Sequence, residues 1–557
     1  MATRPEAWRT APDVRTRRTI VALGVLLATC LLGLAAGAGQ APALGVGTAP
    51  DLEAARQTLG ADRAAMTTVA SAGRAAGVKR AAPLVRARAL HAAARKARAA
   101  RMYTRASALY ERARASYLKA GRRTPARACL TALQDIYLIT GTYSATRADM
   151  LEALAEMYPT VPADQRAAWL DLPSTESLRW DGVKHYFYEV PLNLAFRDVG
   201  LFQSLPDHVA SYEQVYGTLR PYLEAEAAAP AWQPYAEPRM YEFRQTLAVP
   251  RSVLPATGSL RAWLPVPIIG GPQSDVRITN MDPATLVDRP PSIADQIGLV
   301  TFRVPLGQLD TDLRLSFNVR YTHSAQYFKI RPSAIGPYDT GAPYYRRYTA
   351  SRGNTRITPA IRRTAKRVAG SAKNPYYQAR RLYRYILDDV KYSLMPHAAL
   401  WPRGQAESVY VHQRKYGDCG AQAMYFVALC RSLGIPARTT GGFQTFRGTP
   451  SGHFWAEFYL PGYGWIPVDP TAATMVDYLE TVSPADKAAF HDFYFGNQDD
   501  LRLVVQKDTD LPLIPRATMR TALPLAVQMP AATCDTFTGG SLGLVLSEYW
   551  SFTSPKR

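Results

Sequence analysis

Cysteine is scarce in this chain: five residues in 557, too few for a disulfide framework to hold together a protein of this size. No Cys/His spacing matches a zinc site and no loop has the form of an EF-hand. No metal or other cofactor is therefore expected, and Asn497, Asp499 and Asp500 read as a solvated turn rather than a calcium site. No internal repeat recurs at a fixed period. Basic tracts interleaved with stacking aromatics are also missing. The net charge is +21, yet Arg86, Arg88, Arg95, Lys96, Arg98, Arg101 and Arg105 stand among alanines, the pattern of a solvated helix face. Nucleic acid is thereby excluded as the expected partner, while attraction to an acidic envelope polymer stays compatible with the charge.

What the chain does have is enough apolar residue, 47 %, to fold, and enough length for three or four domains of about 150 residues each. Arg15, Arg17 and Arg18 precede an apolar run from Ile20 to Ala36, and Ala36-Gly37-Ala38 has the small-residue form of a cleavage site. Thr16-Arg17-Arg18-Thr19-Ile20-Val21 also has the look of a twin-arginine export signal. Residues 1–43 are thus expected to be a signal peptide, or a membrane anchor through residues 20–36. The body is expected to be exported: periplasmic, secreted, or anchored and facing outward. Cys30 lies in that segment; Cys129 and Cys534 are free to pair, and Cys430 is expected to pack as a small hydrophobe.

Residues 51–235 read as an irregular helical region, with Tyr103, Ala106, Tyr110, Ala113 and Tyr117 recurring at three- and four-residue steps. Pro221 and the alanine- and proline-rich run from Glu224 to Pro238 read as its boundary. Over residues 240–330 the period changes to two, as in Leu260-Arg261-Ala262-Trp263-Leu264 and Leu313-Arg314-Leu315-Ser316-Phe317-Asn318-Val319, which predicts an antiparallel β-sandwich-like module. Residues 331–359 read as a linker, 360–515 as the segment carrying the chemistry, and 516–557 as a C-terminal extension. The fold class is multidomain α+β.

Within 360–515, Lys415-Tyr416-Gly417-Asp418-Cys419-Gly420 sets a cysteine after a Gly-Asp turn, at the start of a run from Ala421 to Leu433 that is apolar on nearly every face. Gly434 and Pro436 stop that helix. A cysteine at a helix N-terminus faces unpaired N–H groups and the positive end of the macrodipole, which favour a thiolate. His453-Phe454-Trp455-Ala456-Glu457-Phe458-Tyr459-Leu460 alternates as a strand. The turn Pro461-Gly462-Tyr463-Gly464 leads back into Trp465-Ile466-Pro467-Val468-Asp469. A four-residue turn would set Asp469 opposite Ala456, facing away from His453, so an offset register or bulge is required. Glu457 is expected to make structural hydrogen bonds. For His397, His412 and His491 no partner is identifiable.

Gly417-Asp418-Cys419, His453-x-Trp455-x-Glu457 and Gly464-Trp465-Ile466-Pro467-Val468-Asp469-Pro470-Thr471 resemble the core of bacterial transglutaminase-like proteins, relatives of the papain-type cysteine enzymes. Arg431-Ser432-Leu433-Gly434-Ile435-Pro436-Ala437-Arg438 resembles that family's segment after the nucleophile helix. The resemblance spans Thr358 to Thr471 strongly and leaves the first 235 residues uncovered. It implies a transglutaminase-like, papain-type α+β core and a triad of Cys419 as nucleophile, His453 as proton carrier and Asp469 as the group orienting the histidine. The product of the first half-reaction would be a thioester. For the oxyanion the expected donor is the Cys419 backbone N–H, with Gln413, whose spacing resembles the papain-type oxyanion glutamine, Trp401 and Trp455 as further candidates. The expected partner is a protein or peptide substrate, cell-wall peptides included. The leading expectation is hydrolysis, as a peptidase or amidase; the alternatives are protein-glutamine transamidation and a non-catalytic envelope scaffold.

Overall fold

A computed structural model of the protein describes residues 81–231, 233–448, 450–521, 528–534, 536 and 547–556. The expected export segment and Cys30 lie outside them. Among the described residues no helix is long and apolar enough to cross a membrane.

Three successive helices, Ala81–Ala99, Tyr103–Lys119 and Arg123–Thr142, open the described chain. Tyr103, Ala106, Tyr110, Ala113 and Tyr117 form the buried stripe of the second. On the first, Ala87, Leu90, Ala94 and Ala97 go inward while Arg86, Arg88, Arg95 and Lys96 stay exposed, as an amphipathic helix requires. The helical region also holds a β-hairpin, Ser177–Trp180 with Val183–Tyr186, which no alternation in the sequence announces. Pro221 is not a boundary. It lies inside the helix Pro206–Ala228, where Tyr212, Val215, Leu219 and Tyr222 bury one face across it; that packing outweighs the lost backbone hydrogen bond. The boundary falls after Ala228 and before the strand Tyr235–Val249.

The sandwich is built on two long paired strands, Tyr235–Val249 and Leu313–Tyr327. Gln273–Asp282 pairs with the second of them. The facing sheet contains Ser259–Pro265, Leu299–Pro305 and Val287–Ser292. Within residues 516–557, read from sequence as an extension, two described strands belong to this module: Ala531–Cys534 pairs with Ser259–Pro265 and Ser547–Lys556 with Tyr235–Val249, adding an edge strand to each sheet. Residues 331–359 connect the sandwich to the next unit with little regular structure beyond the short helix Pro343–Tyr348, and they are packed down. Tyr348, Asn354 and Thr355 are buried, and the Tyr338 hydroxyl donates to the Tyr459 carbonyl at 2.8 Å.

The third unit sets the helix Cys419–Ser432 against a four-stranded antiparallel sheet in the order Gly464–Val468, Ser451–Leu460, Ala437–Gln444, Arg502–Lys507. Every residue of that helix is buried, as a sequence apolar on nearly every face demands, and each fully buried Val, Leu or Phe contributes roughly 1.5–3 kcal/mol. The sandwich is stitched to this sheet: Ile268 and Gly298 donate backbone bonds to Val504 and Val505 at 3.0 and 2.8 Å, and Phe443, Leu503 and Val505 share the sandwich core. The helical region docks on the other side, where the Asn193 side chain donates to the Leu394 carbonyl and accepts from its N–H.

Candidate active site

Cys419 is the first residue of its helix. The Asp418 carboxylate caps that helix, accepting from the Ala421 N–H at 3.1 Å. The approach is fixed by a short parallel pairing of Tyr416–Gly417 with Lys391–Tyr392. The Gln422 amide then donates to the Gly417 carbonyl at 2.9 Å. The thiol is buried, 1 % exposed, among Met424 and Phe454.

The strand Ser451–Leu460 carries His453, and the return strand supplies the offset that the sequence required. The hairpin closes at Leu460 opposite Gly464, leaving a three-residue loop, so Ala456 pairs with Val468 and Asp469 continues onto the His453 face. Gly462 and Gly464 make this closure possible, at φ 84° and 86°, where a side chain would be strained. The Asp469 Oδ2 then lies 2.7 Å from His453 Nε2. That leaves Nδ1, a buried atom with no hydrogen-bond partner among the described residues, as the ring nitrogen for Cys419, whose thiol is near enough to raise the imidazole pKa.

Asp469 is held from every side. Its Oδ1 accepts from the Ala472 N–H and the Thr471 hydroxyl at 3.0 and 3.2 Å, and its Oδ2 also accepts from Arg502 Nη1 at 2.6 Å. Arg502 in turn grips Asp499 through Nε and Nη2, the latter at 2.6 Å, and its guanidinium lies over Phe446 and Trp455, 4.9 and 5.1 Å from the ring centres. All of these groups are buried. Burial alone would lower the His453 pKa, but Asp469 and then Cys419 outweigh it and the ring is pushed up to about 9. Burial likewise would raise Asp469; the His453 and Arg502 charges reverse this and hold it well below the usual carboxylate range.

The structure thus unites Cys419, His453 and Asp469 and does not unite the remaining candidates with them equally. Trp455 is 1 % exposed with its ring 5.9 Å from that of His453, and its indole N–H has no hydrogen-bond partner among the described residues. Trp401 is 38 % exposed and covered by the Arg520 guanidinium at 3.7 Å. Gln413 is exposed near the end of the helix Glu407–Arg414 and meets Gln405 at 3.5 Å; helix phase turns it to solvent, which argues against an oxyanion role.

Other expectations are corrected too. Asn497, Asp499 and Asp500 are buried, not a solvated turn, because Arg502, Tyr222 and Arg239 take up the two carboxylates. Cys129 and Cys534 are unpaired; they lie in two different hydrophobic cores. The three histidines left without partners have them: His412 meets the Tyr425 hydroxyl at 2.9 Å, His491 meets Asp477 at 3.0 Å, and His397 lies between Glu407, at 2.8 Å, and Asp418. Glu457 bridges Arg438 and Lys507 at 2.7 and 2.6 Å. Arg502 and His397 escaped the sequence reading altogether as parts of this site. Among the described residues no cluster of His, Cys, Asp and Glu forms a metal cage.

A thiol at a helix N-terminus, an imidazole beside it and a buried carboxylate behind the imidazole form the constellation of cysteine acyl-transfer enzymes. Residues 362–470 match the Transglutaminase-like superfamily, so this core is similar to the core of that superfamily. It is similar to a protein-glutamine gamma-glutamyltransferase of Pseudomonas aeruginosa, 29 % identical over 111 residues. That match covers 18 % of this chain and 16 % of the length of the relative. Among solved structures it is similar to a candidate cysteine protease from Cytophaga hutchinsonii, with 14 % identity, 58 % of this chain and 90 % of that one covered, and a TM-score of 0.34. The periplasmic domain of TgpA from Pseudomonas aeruginosa gives 16 % identity, 46 % and 93 % coverage, and a TM-score of 0.23.

Proposed function

We propose that this protein is an exported cysteine enzyme that cleaves amide or peptide bonds in protein or peptide substrates, cell-wall peptides among them. The observation that carries the reading is the placement of His453 between Cys419 and the buried, charge-compensated Asp469. In this mechanism the Cys419 sulfur bonds to the acyl carbon while the tetrahedral oxyanion takes the Cys419 backbone N–H. The C–N bond then breaks as His453 gives its proton to the departing amine. Water, deprotonated by His453, attacks the thioester; the S–C bond breaks and the acid is released. Export is supported by the basic, apolar and small-residue succession before residue 43. A primary amine in place of water gives transamidation, a reading favoured by the likeness to a protein-glutamine gamma-glutamyltransferase.

The test is a peptide-library digest with the purified protein beside Cys419→Ala, with a labelled amine and a glutamine peptide in a parallel reaction. Cleavage or ammonia release lost in the variant supports hydrolysis, and incorporation of the amine supports transfer. If neither occurs and Cys419 alkylates as slowly as an ordinary thiol, the protein is an envelope scaffold.

A further inference from the structure

The helical region and the catalytic core meet over a partly open cavity of about 20 Å³, room for one ammonium head whose carbon projects toward the opening. Phe187, Tyr188 and Glu189 line it from the helical side, and Met395, His397 and Asp418 from the core. Glu189 is 9 % exposed. It occupies the N-cap of the helix Val190–Arg197, where a carboxylate ordinarily accepts a helix N–H. Its side chain makes no cap bond, and its Oε1 has no hydrogen-bond partner among the described residues.

The charge around this cavity is acidic. Glu189 and Asp418 face it with His397, and His397 is shared between Asp418 and, behind it, Glu407. Arg197, on the helix that Glu189 caps, is committed to Glu176 and Ser393, and the Thr142 hydroxyl is committed to the Leu138 carbonyl at 2.7 Å. An acceptor-only ligand would meet carboxylate oxygens here, whereas a group made only of donors satisfies them. The reciprocal bonds of Asn193 to Leu394, 3.1 and 2.7 Å, hold the two walls in register.

We propose that this cavity binds a primary ammonium group, with the Glu189 carboxylate as its counter-ion, immediately beside the residue that precedes the nucleophile. That the ammonium belongs to the acyl donor or the acyl acceptor rests on the proposed function; the binding itself does not. Burial pushes the Glu189 carboxyl up to about 8, so at pH 7 it carries its proton. An entering ammonium ionises it, and that proton leaves to solvent.

The experiment uses Cys419→Ala, so no chemistry intrudes, and titrates it calorimetrically at pH 7 with methylammonium chloride against tetramethylammonium chloride, which is too large for the cavity. The expected result is saturable binding of methylammonium alone, with release of up to about one proton, read from two buffers of different ionisation heat. Binding should weaken at least about tenfold in Glu189→Gln, which keeps the shape of the side chain. Equal behaviour of the two salts, or methylammonium binding without proton release, overturns the site; both readings come from protein with Glu189 intact and so do not depend on the folding of the variant. In the protein bearing Cys419, incorporation of labelled methylamine into a glutamine peptide identifies the acceptor as the source of the ammonium. Competitive inhibition of hydrolysis without incorporation identifies the substrate's own ammonium.

Discussion

Arg502 donates to the same Asp469 oxygen that meets His453, at 2.6 Å. The carboxylate behind the histidine is therefore shared between two cations and anchored through Arg502 to Asp499. Removing the guanidinium would leave Asp499 without its cation and Asp469 with His453 alone, and breaking a buried pair in this way costs about 3–5 kcal/mol. Arg502→Met should lose that much stability in urea or thermal unfolding, and Arg502→Lys less. A variant as stable as the parent would show that Arg502 does not hold Asp469.

The pH dependence follows from the same carboxylate. His453 has a folded pKa of about 9 against about 6.5 unfolded. Its stabilisation is thus fully present below about pH 6.5 and is lost as pH rises through about 9. Asp469 shifts the other way, so its contribution is present above its unfolded value of about 3.9 and is lost as pH falls through the depressed folded value. The contribution of this pair, read as the difference in denaturant stability between the parent and His453→Ala, should therefore be flat between roughly pH 4 and 6.5. Hydrolytic rate, which needs the imidazolium as acid, should fall on an alkaline limb near pH 9 that is absent in His453→Ala; a limb at 6.5 would contradict the assignment.

How much of this was legible follows the range of the interactions. The helix Cys419–Ser432 and the strand bearing His453 announce themselves through local pattern, since an apolar run with a Gly stop and a period-two run are read within about a dozen residues. Asp469 was legible as a candidate but its facing was not: the one-residue difference between a four-residue turn and the three-residue loop closed by Gly462 and Gly464 decides which side of the sheet it takes. The glycine at position 464 was the available signal. Arg502 lies 33 residues beyond Asp469, on a strand whose residues are buried on both faces, and no pattern ties an arginine there to the site. Asp500 looked like a turn residue because its partners Arg239 and Tyr222 come from the preceding modules, and Asp499 because its partner Arg502 is itself a buried strand residue that no pattern marks.

The oxyanion candidates can be separated by rate. Loss of a donor aimed at a developing oxyanion costs about 10²–10³ in kcat. Gln413 is exposed and meets Gln405, so Gln413→Ala should keep kcat/KM within about twofold of the parent. Trp455→Phe, which keeps the ring against His453 and removes a buried indole N–H, tests the remaining side-chain candidate. A hundredfold loss in the glutamine variant would mean that the helix Glu407–Arg414 rearranges when substrate binds.

The cysteines give a test that needs no substrate. Cys129, Cys430 and Cys534 are buried and unpaired. Burial pushes the Cys129 thiol up to about 11 and raises that of Cys430 well above its ordinary value, so at pH 7 both are neutral, poor nucleophiles as well as shielded ones. Iodoacetamide applied to the native protein should modify Cys419 before any of these three, at a rate that falls in His453→Ala. The Cys419→Ala protein should take up label at these positions only on unfolding. Mass spectrometry of the labelled peptides resolves the order, and the same digest without reductant should show no Cys129–Cys534 disulfide, because the two thiols belong to separate cores and a bridge requires Cα atoms within about 7 Å. Labelling of Cys129 ahead of Cys419 would mean that the nucleophile is not activated and that the helical region opens more readily than its packing allows.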